Sequence, residues 1–468
     1  LTLPVASVRR AGLLAIVSAA LLLRLWHLSM PNQLYFDETA YLPSAVALLQ
    51  GKNDPNPAIP QLGKMGMAAG MATWYAVEQH VLGGHSVARE CIAWRWPGAV
   101  LGAATVALVY FVGESMFGWV VGLLAAGLLA IDWVHLVMSR VAMLDVYVTF
   151  FIVLGSWFTW LYVRSETRQN RWLWLACVAF ALAVTSKWNA LFAIVACLMT
   201  ILWCKPLATD LRMRMWFMAR LCLRGFLVLM VVYGSTYLPY LRANQWNISK
   251  TVTWYSMTNM FMFEYRYVDQ YHDVHQNRYR STWWHWPLDL RPCWLFFEHT
   301  AMAPDLAQPS LKWTDAQIEE ANRLLPTTIG YASGIVVMGS PWIWWTFLPL
   351  WLWSCWQCRP RRDEPELSPD ERRERDGLRM CVLLYALQVG FWCINPGFMY
   401  YMAVCSPFMS LIIARQLASW SRTRLGALAA LCYVGMALAL LVYFWPLLYA
   451  SPVGMRSFWH RIWLSSWV

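Results

Sequence analysis

Apolar residues run along the chain in stretches of roughly 18 to 25, the length that crosses the hydrocarbon core of a bilayer. Short polar turns separate them. The pattern predicts eleven membrane-spanning helices, near 11–30, 97–113, 119–137, 144–163, 172–186, 189–203, 225–240, 330–355, 379–394, 398–414 and 426–449. The stretch 65–83 is ambiguous, because it is rich in Gly and interrupted by Glu78, Gln79 and His80. Basic residues collect on cytoplasmic loops, and this rule decides the case. If 65–83 does not cross, the loops with Arg164, Arg168 and Arg171, with Lys205, Arg212, Arg214 and Arg220, and with Arg415, Arg422 and Arg424 share a side with Arg9 and Arg10. If it does cross, they fall opposite. The expectation is therefore an interfacial helix at 65–83, a cytoplasmic N-terminus and an external C-terminus. The first apolar stretch lacks a small-residue cleavage site and reads as a retained helix rather than a removable signal.

Composition strengthens the membrane reading. Of 468 residues, 59% are hydrophobic and 13% charged, against about 25% charged in a soluble domain. Disorder, a disulfide scaffold and a coiled coil are excluded. The net charge of +11 is absorbed by the cytoplasmic loops, and no basic domain or aromatic-basic motif points to nucleic acid. The chain divides into an N-terminal membrane half (1–240) with an external loop at 31–96, an external Trp-, Tyr- and His-rich segment (241–329) expected to pack as a cap, and a C-terminal membrane half (330–468). The hydrophilic run within 356–378 reads as a solvated cytoplasmic linker. The 12 cysteines are scattered. Cys355 and Cys358 form a solitary CxxC at a helix end, and Cys91 and Cys293 could meet outside the membrane. Asn247-Ile248-Ser249 is a glycosylation sequon taken as coincidence. No repeat, GxGxxG or P-loop is present, so an activated group must arrive by another route, such as a lipid.

Ionisable residues near membrane depth are costly and are functional candidates by default. On the predicted topology those that break the apolar pattern gather at the external face: Asp37 and Glu38 after the first span, Lys64, Arg140 and Asp145 around the start of the fourth span, and Lys187 in the hairpin between spans five and six. Each has a plainer reading. Asp37 could cap a helix, Arg140 and Asp145 could pair with each other, and the lysines could snorkel to headgroups. Arg24 and His27 suit helix–helix pairing. Glu298 and His299 are weaker candidates for support, as are Tyr400 and Tyr401, which also suit an interfacial aromatic belt. Cations hold phosphate oxygens and stabilise charge developing as the group departs, while a carboxylate can remove a proton from an acceptor hydroxyl. Together they describe group transfer from a lipid phosphate to an external hydroxyl, with inversion at the anomeric carbon.

Phe36-Asp37-Glu38, the run ending Leu62-Gly63-Lys64, Trp94-Arg95-Trp96-Pro97, Arg140 to Asp145 and Lys187-Trp188-Asn189 resemble the dolichyl/polyprenyl-phosphate-mannose protein O-mannosyltransferases. So do Ser281 to Leu288, Arg291-Pro292, Gly339-Ser340-Pro341-Trp342-Ile343-Trp344-Trp345 and Phe398-Met399-Tyr400-Tyr401 before Pro407-Phe408, in family order over nearly the whole chain. The resemblance implies an all-α, GT-C-type bundle in a bacterial inner membrane. It implies a polyprenyl-phosphate-mannose donor, a Ser/Thr-containing exported polypeptide as acceptor, and no cofactor beyond the lipid-linked sugar, with a divalent metal left open. Asp37 would be the base and Glu38 would shape the acceptor site. Arg140 would contact the donor phosphate or hold the catalytic loop, Asp145 would support it, and Lys64 and Lys187 would serve phosphate binding or positioning. The family usually has His-Pro before Leu-Gly-Lys, whereas this chain has Ile59-Pro60-Gln61, leaving any role of that His unfilled. The loop after the seventh span has no room for the β-trefoil of eukaryotic members. A sister enzyme moving aminoarabinose to lipid A is the nearest alternative. A transporter is the alternative of a different class, but it would line a path through mid-bilayer and show inverted repeats.

Overall fold

The computed structural model describes residues 4–165, 170–204, 210–264, 279–300, 330–359, 367–393 and 397–468. Helix α1 (Val5–Leu25) is followed by two helices of the first long loop, α2 (Glu38–Leu49) and α3 (Leu62–His80). Then come α4 (Ile92–Phe117), α5 (Trp119–Ala130), the short α6 (Trp133–Met138), α7 (Leu144–Arg164), α8 (Asn170–Ser186), α9 (Ala190–Cys204) and α10 (Leu211–Ser235). Helices α11 (Tyr240–Ala243) and α12 (Ile248–Glu264) follow α10, and strands β1 (Cys293–Thr300) and β2 (Tyr331–Val337) come next. The C-terminal part holds α13 (Pro341–Gln357), α14 (Pro369–Gly390), α15 (Ser406–Trp420), α16 (Arg424–Leu448), β3 (Val453–Gly454) and α17 (Met455–Trp459).

Local chemistry sets many of these boundaries. Asp132 accepts a hydrogen bond from the His135 backbone N–H and starts α6. Ser368 and Glu371 form a reciprocal capping box, with Pro369 in the first turn of α14. The Thr423 hydroxyl accepts from the Gly426 N–H at the head of α16. Such caps satisfy backbone donors that an isolated helix end leaves unpaired.

Among the described residues, five helices are long and apolar enough to cross a membrane: Val5–Leu25, Val87–Phe117, Leu144–Arg164, Arg212–Ser235 and Arg424–Leu448. Shorter apolar helices lie at Trp119–Ala130, Asn170–Ser186 and Ala190–Cys204. One continuous core runs from Ala20 to Trp467 and draws residues from both predicted halves of the chain. The ambiguous segment 65–83 lies largely within α3, and three glycines of that helix have a packing reason. A Cβ at Gly63 would meet Leu144, one at Gly66 would meet Tyr147, and one at Gly70 would meet Pro97. The missing side chains let α3 lie directly on α7 and α4.

Three expectations change. The predicted span 330–355 opens as strand β2, because the β-branched run Ile335-Val336-Val337 pairs antiparallel with the aromatic strand β1, Cys293 opposite Val337. Strand β3 completes a three-stranded sheet in the order β1-β2-β3, which the all-α reading did not contain. The charged stretch before the seventh span is helical, since α10 begins at Leu211. The solvated linker at 356–378 is partly α14, where Asp376 and Arg379 are buried and the Arg379 guanidinium donates to the Cys358 carbonyl. Cys91, Cys293, Cys355 and Cys358 are free thiols.

Candidate active site

The scarce charges separate to the two ends of the bundle. At one end Arg9 pairs with Glu114 at 2.6 Å, and Arg415 donates to Gln357 at 2.9 Å. At the other end lie the start of α2, the start of α7, the α8–α9 turn and the 3₁₀ segment Met399–Val404.

Asp37 stands immediately before α2 and is partly buried. It makes no cap bond to its own helix. One of its oxygens instead accepts from the Tyr41 hydroxyl at 3.0 Å. Phe36, before it, holds φ 52°, a left-handed conformation uncommon for a bulky residue, and sets its ring edge-on to Tyr400 at 5.5 Å. Burial raises the Asp37 carboxyl to about 6, the Tyr41 bond and the Lys187 ammonium oppose the rise, and Asp145 adds to it.

Lys187 leaves the end of α8 and donates to both oxygens of Asp145, at 2.8 and 3.0 Å. Its ammonium also lies 4.6 Å from the Tyr401 ring centre and 5.5 Å from that of Tyr400. An ammonium near aromatic faces is favoured by the ring quadrupole. Asp37, Asp145, Lys187, Tyr400 and Tyr401 thus meet, although they come from four distant parts of the chain.

The remaining expected residues stand elsewhere. Both oxygens of Glu38 take hydrogen bonds from Arg95 at 2.8 Å, and one also accepts the Ala142 N–H at 3.1 Å. Glu38 and Arg95 are completely buried, so Glu38 ties α2 to α4 and to the loop before α7 rather than facing an open site. Arg140 does not pair with Asp145. It donates to the carbonyls of Leu23, Arg24 and Trp26 at the end of α1, at 3.0, 3.0 and 2.6 Å, and lies 4.0 Å from the Tyr449 ring centre. That geometry caps a helix C-terminus, where a cation meets unsatisfied carbonyls and the negative end of the dipole. Lys64 is buried against Asp54 at 2.7 Å and the carbonyls of Asn56 and Ile59. Burial lowers its affinity for a proton, with Asp54 opposing the effect. Its partners lie in the loop before α3, which it holds closed.

Cys293, at the head of β1, lies close enough to Asp37 for the carboxylate to add to burial in pushing its thiol up. Glu298 and His299 are five and six residues further along the strand, about 16 to 20 Å away at the usual rise. Glu298 is exposed, and His299 stacks on Phe297. Arg24 bonds His135 Nδ1 at 2.9 Å, the helix-pairing role expected of it, whereas His27 stacks on Trp26.

Two partners of these residues have no role assigned by the sequence: Arg95, within the Trp94-Arg95-Trp96-Pro97 motif, and Asp54, in the loop before α3. Among the described residues no group of three or more His, Cys, Asp and Glu could hold a metal ion.

Residues 14–240, which include Asp37, Lys64, Arg140, Asp145 and Lys187, match the family model described as dolichyl-phosphate-mannose-protein mannosyltransferase. The polyprenol-phosphate-mannose--protein mannosyltransferase of Mycobacterium tuberculosis is 22% identical, covering 92% of this chain and 86% of its own length. The enzyme of the same name from Mycolicibacterium smegmatis is 23% identical over 92% of this chain and 87% of its own. In architecture the chain is similar to the S. cerevisiae protein O-mannosyltransferase Pmt1-Pmt2 complex bound to the sugar donor, with TM-score 0.59, 12% identity and coverage of 100% of this chain and 93% of that one. It is also similar to ArnT from Cupriavidus metallidurans bound to undecaprenyl phosphate, with TM-score 0.51, 14% identity and coverage of 92% and 69%. These likenesses establish a GT-C fold. The chain is a multi-pass membrane protein, and the family model that matches residues 14–240 and the named relatives are all those of protein mannosyltransferases.

Proposed function

We propose that the protein moves mannose from a polyprenyl-phosphate carrier to Ser/Thr hydroxyls of exported polypeptides, at the outer face of a bacterial inner membrane. The convergence of Asp37, Asp145 and Lys187 at one end of the bundle carries this reading. Asp37 removes the proton from the acceptor hydroxyl. The freed oxygen attacks the anomeric carbon, the bond to the phosphate oxygen breaks on the opposite side, and the configuration inverts. A phosphate is a good leaving group without a dedicated acid, and Lys187, oriented by Asp145, offsets the charge it gains.

Glu38 and Arg140 act as positioning residues. Glu38, next to Asp37, anchors the start of α2 through Arg95 and the Ala142 N–H, and Arg140 binds the loop before α7 to the end of α1. Tyr400 and Tyr401 also hold the Lys187 ammonium, through their ring faces. The proposed orientation puts the N-terminus in the cytoplasm and this site outside, because Arg9, Arg379 and Arg415 lie at the far end.

The names of the mycobacterial relatives support mannose and protein as the two substrates. An assay with purified protein tests it: polyprenyl-phosphate-mannose is offered with a Ser/Thr peptide or with lipid A. Transfer to peptide is expected. Transfer to lipid A alone would favour the glycolipid-directed alternative, and transfer to neither would remove both.

A further inference from the structure

Helix α12 (Ile248–Glu264) buries only a narrow stripe, Thr251, Thr258 and Met262. Its remaining circumference carries Ile248, Val252, Met257 and Met260, between 57% and 73% exposed, and Trp246 just before it is 74% exposed. A water-facing cap would not leave so many large apolar side chains together, and an exposed patch of this kind marks an interaction surface. The helix is charged only near its ends, at Lys250 and Glu264.

Continuity identifies the occupant. The outward residues of α10, Leu223, Phe226, Leu227 and Val231, are equally exposed and belong to a helix fit to cross a membrane. Leu238 and Trp246 continue that exposed surface toward Ile248. The apolar surface therefore passes from α10 onto α12 across a turn that also exposes Arg242, Gln245 and Asn247. At the bend Asn244, Ser249 and Lys250 join Trp254 and Met257 in lining a shallow groove of about 260 Å³. A lysine there can reach lipid phosphates while its stem and the neighbouring indole stay in the interface.

The inner side of α12 connects to the site. The Tyr233 hydroxyl donates to Asn259 at 2.9 Å and lies 3.4 Å from Trp188 Nε1, next to Lys187 in sequence. We propose that α12 is an interfacial helix seated in the leaflet at the Lys187 end of the bundle, with its apolar face among acyl chains and Lys250 at lipid phosphates. The helix would then be a membrane-facing wall beside the α8–α9 turn, not part of a water-exposed cap.

Photo-crosslinking in lipid nanodiscs tests this without reference to sugar transfer. Benzoylphenylalanine replaces Val252, Met257 or Met260 one at a time, with Val442 on α16 as the lipid-facing control and Asp370 as the water-facing control. Intact-mass detection is expected to show phospholipid adducts at all three α12 positions in yields comparable to Val442, and none at Asp370. Absence of lipid adducts on α12 while Val442 yields them would overturn the proposal. Dominant crosslinks from α12 to a second copy of the chain would also overturn it.

Discussion

Lys187 holds Asp145 through both carboxylate oxygens, 42 residues away in sequence, at 2.8 and 3.0 Å. The pair links the α8–α9 turn to the first turn of α7. Because both the carboxylate and two tyrosine rings contact the ammonium, the lysine is held in place before any substrate arrives. Preorganised charge of this kind stabilises a developing negative charge without reorganisation at the moment of reaction.

The pair should behave as one unit. Lys187→Met should lower kcat/KM for the lipid-phosphate donor by about 10- to 100-fold, the size of one hydrogen bond to a charged group. Asp145→Asn should act through Lys187, so the double variant should be no worse than Lys187→Met alone. A four-corner cycle of initial rates measures this, and strictly additive losses would contradict it.

Asp37 should impose an acidic limb on the rate. Burial raises its carboxyl from 3.8 to about 6, and a base must be ionised to accept a proton, so turnover should rise through about pH 6 and level off above it. The stability consequence has the opposite sign. The folded state binds this proton more tightly than the unfolded chain, so the stabilisation present below pH 3.8 is lost as pH rises through about 6. Asp37→Asn should cost about 10²- to 10⁴-fold in turnover and abolish the limb, with membrane insertion intact. A rate–pH profile that is flat between pH 5 and 7 would remove the base assignment.

Glu38 and Arg95 should show themselves in stability before chemistry. Losing one partner of a buried pair leaves an uncompensated charge and costs about 3–5 kcal/mol. Glu38→Met and Arg95→Met should therefore each lower the midpoint of thermal unfolding in detergent strongly, and the double variant should recover part of the loss. Singles that melt like the parent protein would argue against the buried pair.

Arg140 is expected to act on the fold of the loop rather than on the donor. Lysine cannot reproduce a planar guanidinium serving four carbonyls, so Arg140→Lys should lower thermal stability while the folded protein keeps its donor KM. A KM that rises at unchanged stability would restore Arg140 as a phosphate ligand.

Much of the site was legible along the chain because charge is scarce in it. Asp37, Asp145 and Lys187 stood out as charges next to apolar runs, and the positive-inside count put them on one face. Pairing was less legible. Arg140 and Asp145, five residues apart, looked like natural partners, yet α7 begins between them and turns their side chains to different neighbours. Lys64 looked like a phosphate ligand because nothing in its local sequence distinguishes a lysine facing a substrate from one closed over Asp54. The β1–β2 sheet was hidden because a short apolar run such as Ile335-Val336-Val337 suits a strand and the head of a helix equally.

Hydrophobic periodicity and the scarcity of charge were enough to establish a multispanning helical protein, the approximate limits of most helices and the end of the bundle at which Asp37, Asp145 and Lys187 lie. Those properties follow from local composition and from the cost of placing a charge in lipid. The partner of each charge, the capping of α1 by Arg140 and the strand pairing were decided only when distant segments packed together. An ion pair depends on the distance between two side chains, and in a folded bundle that distance bears little relation to their separation along the chain.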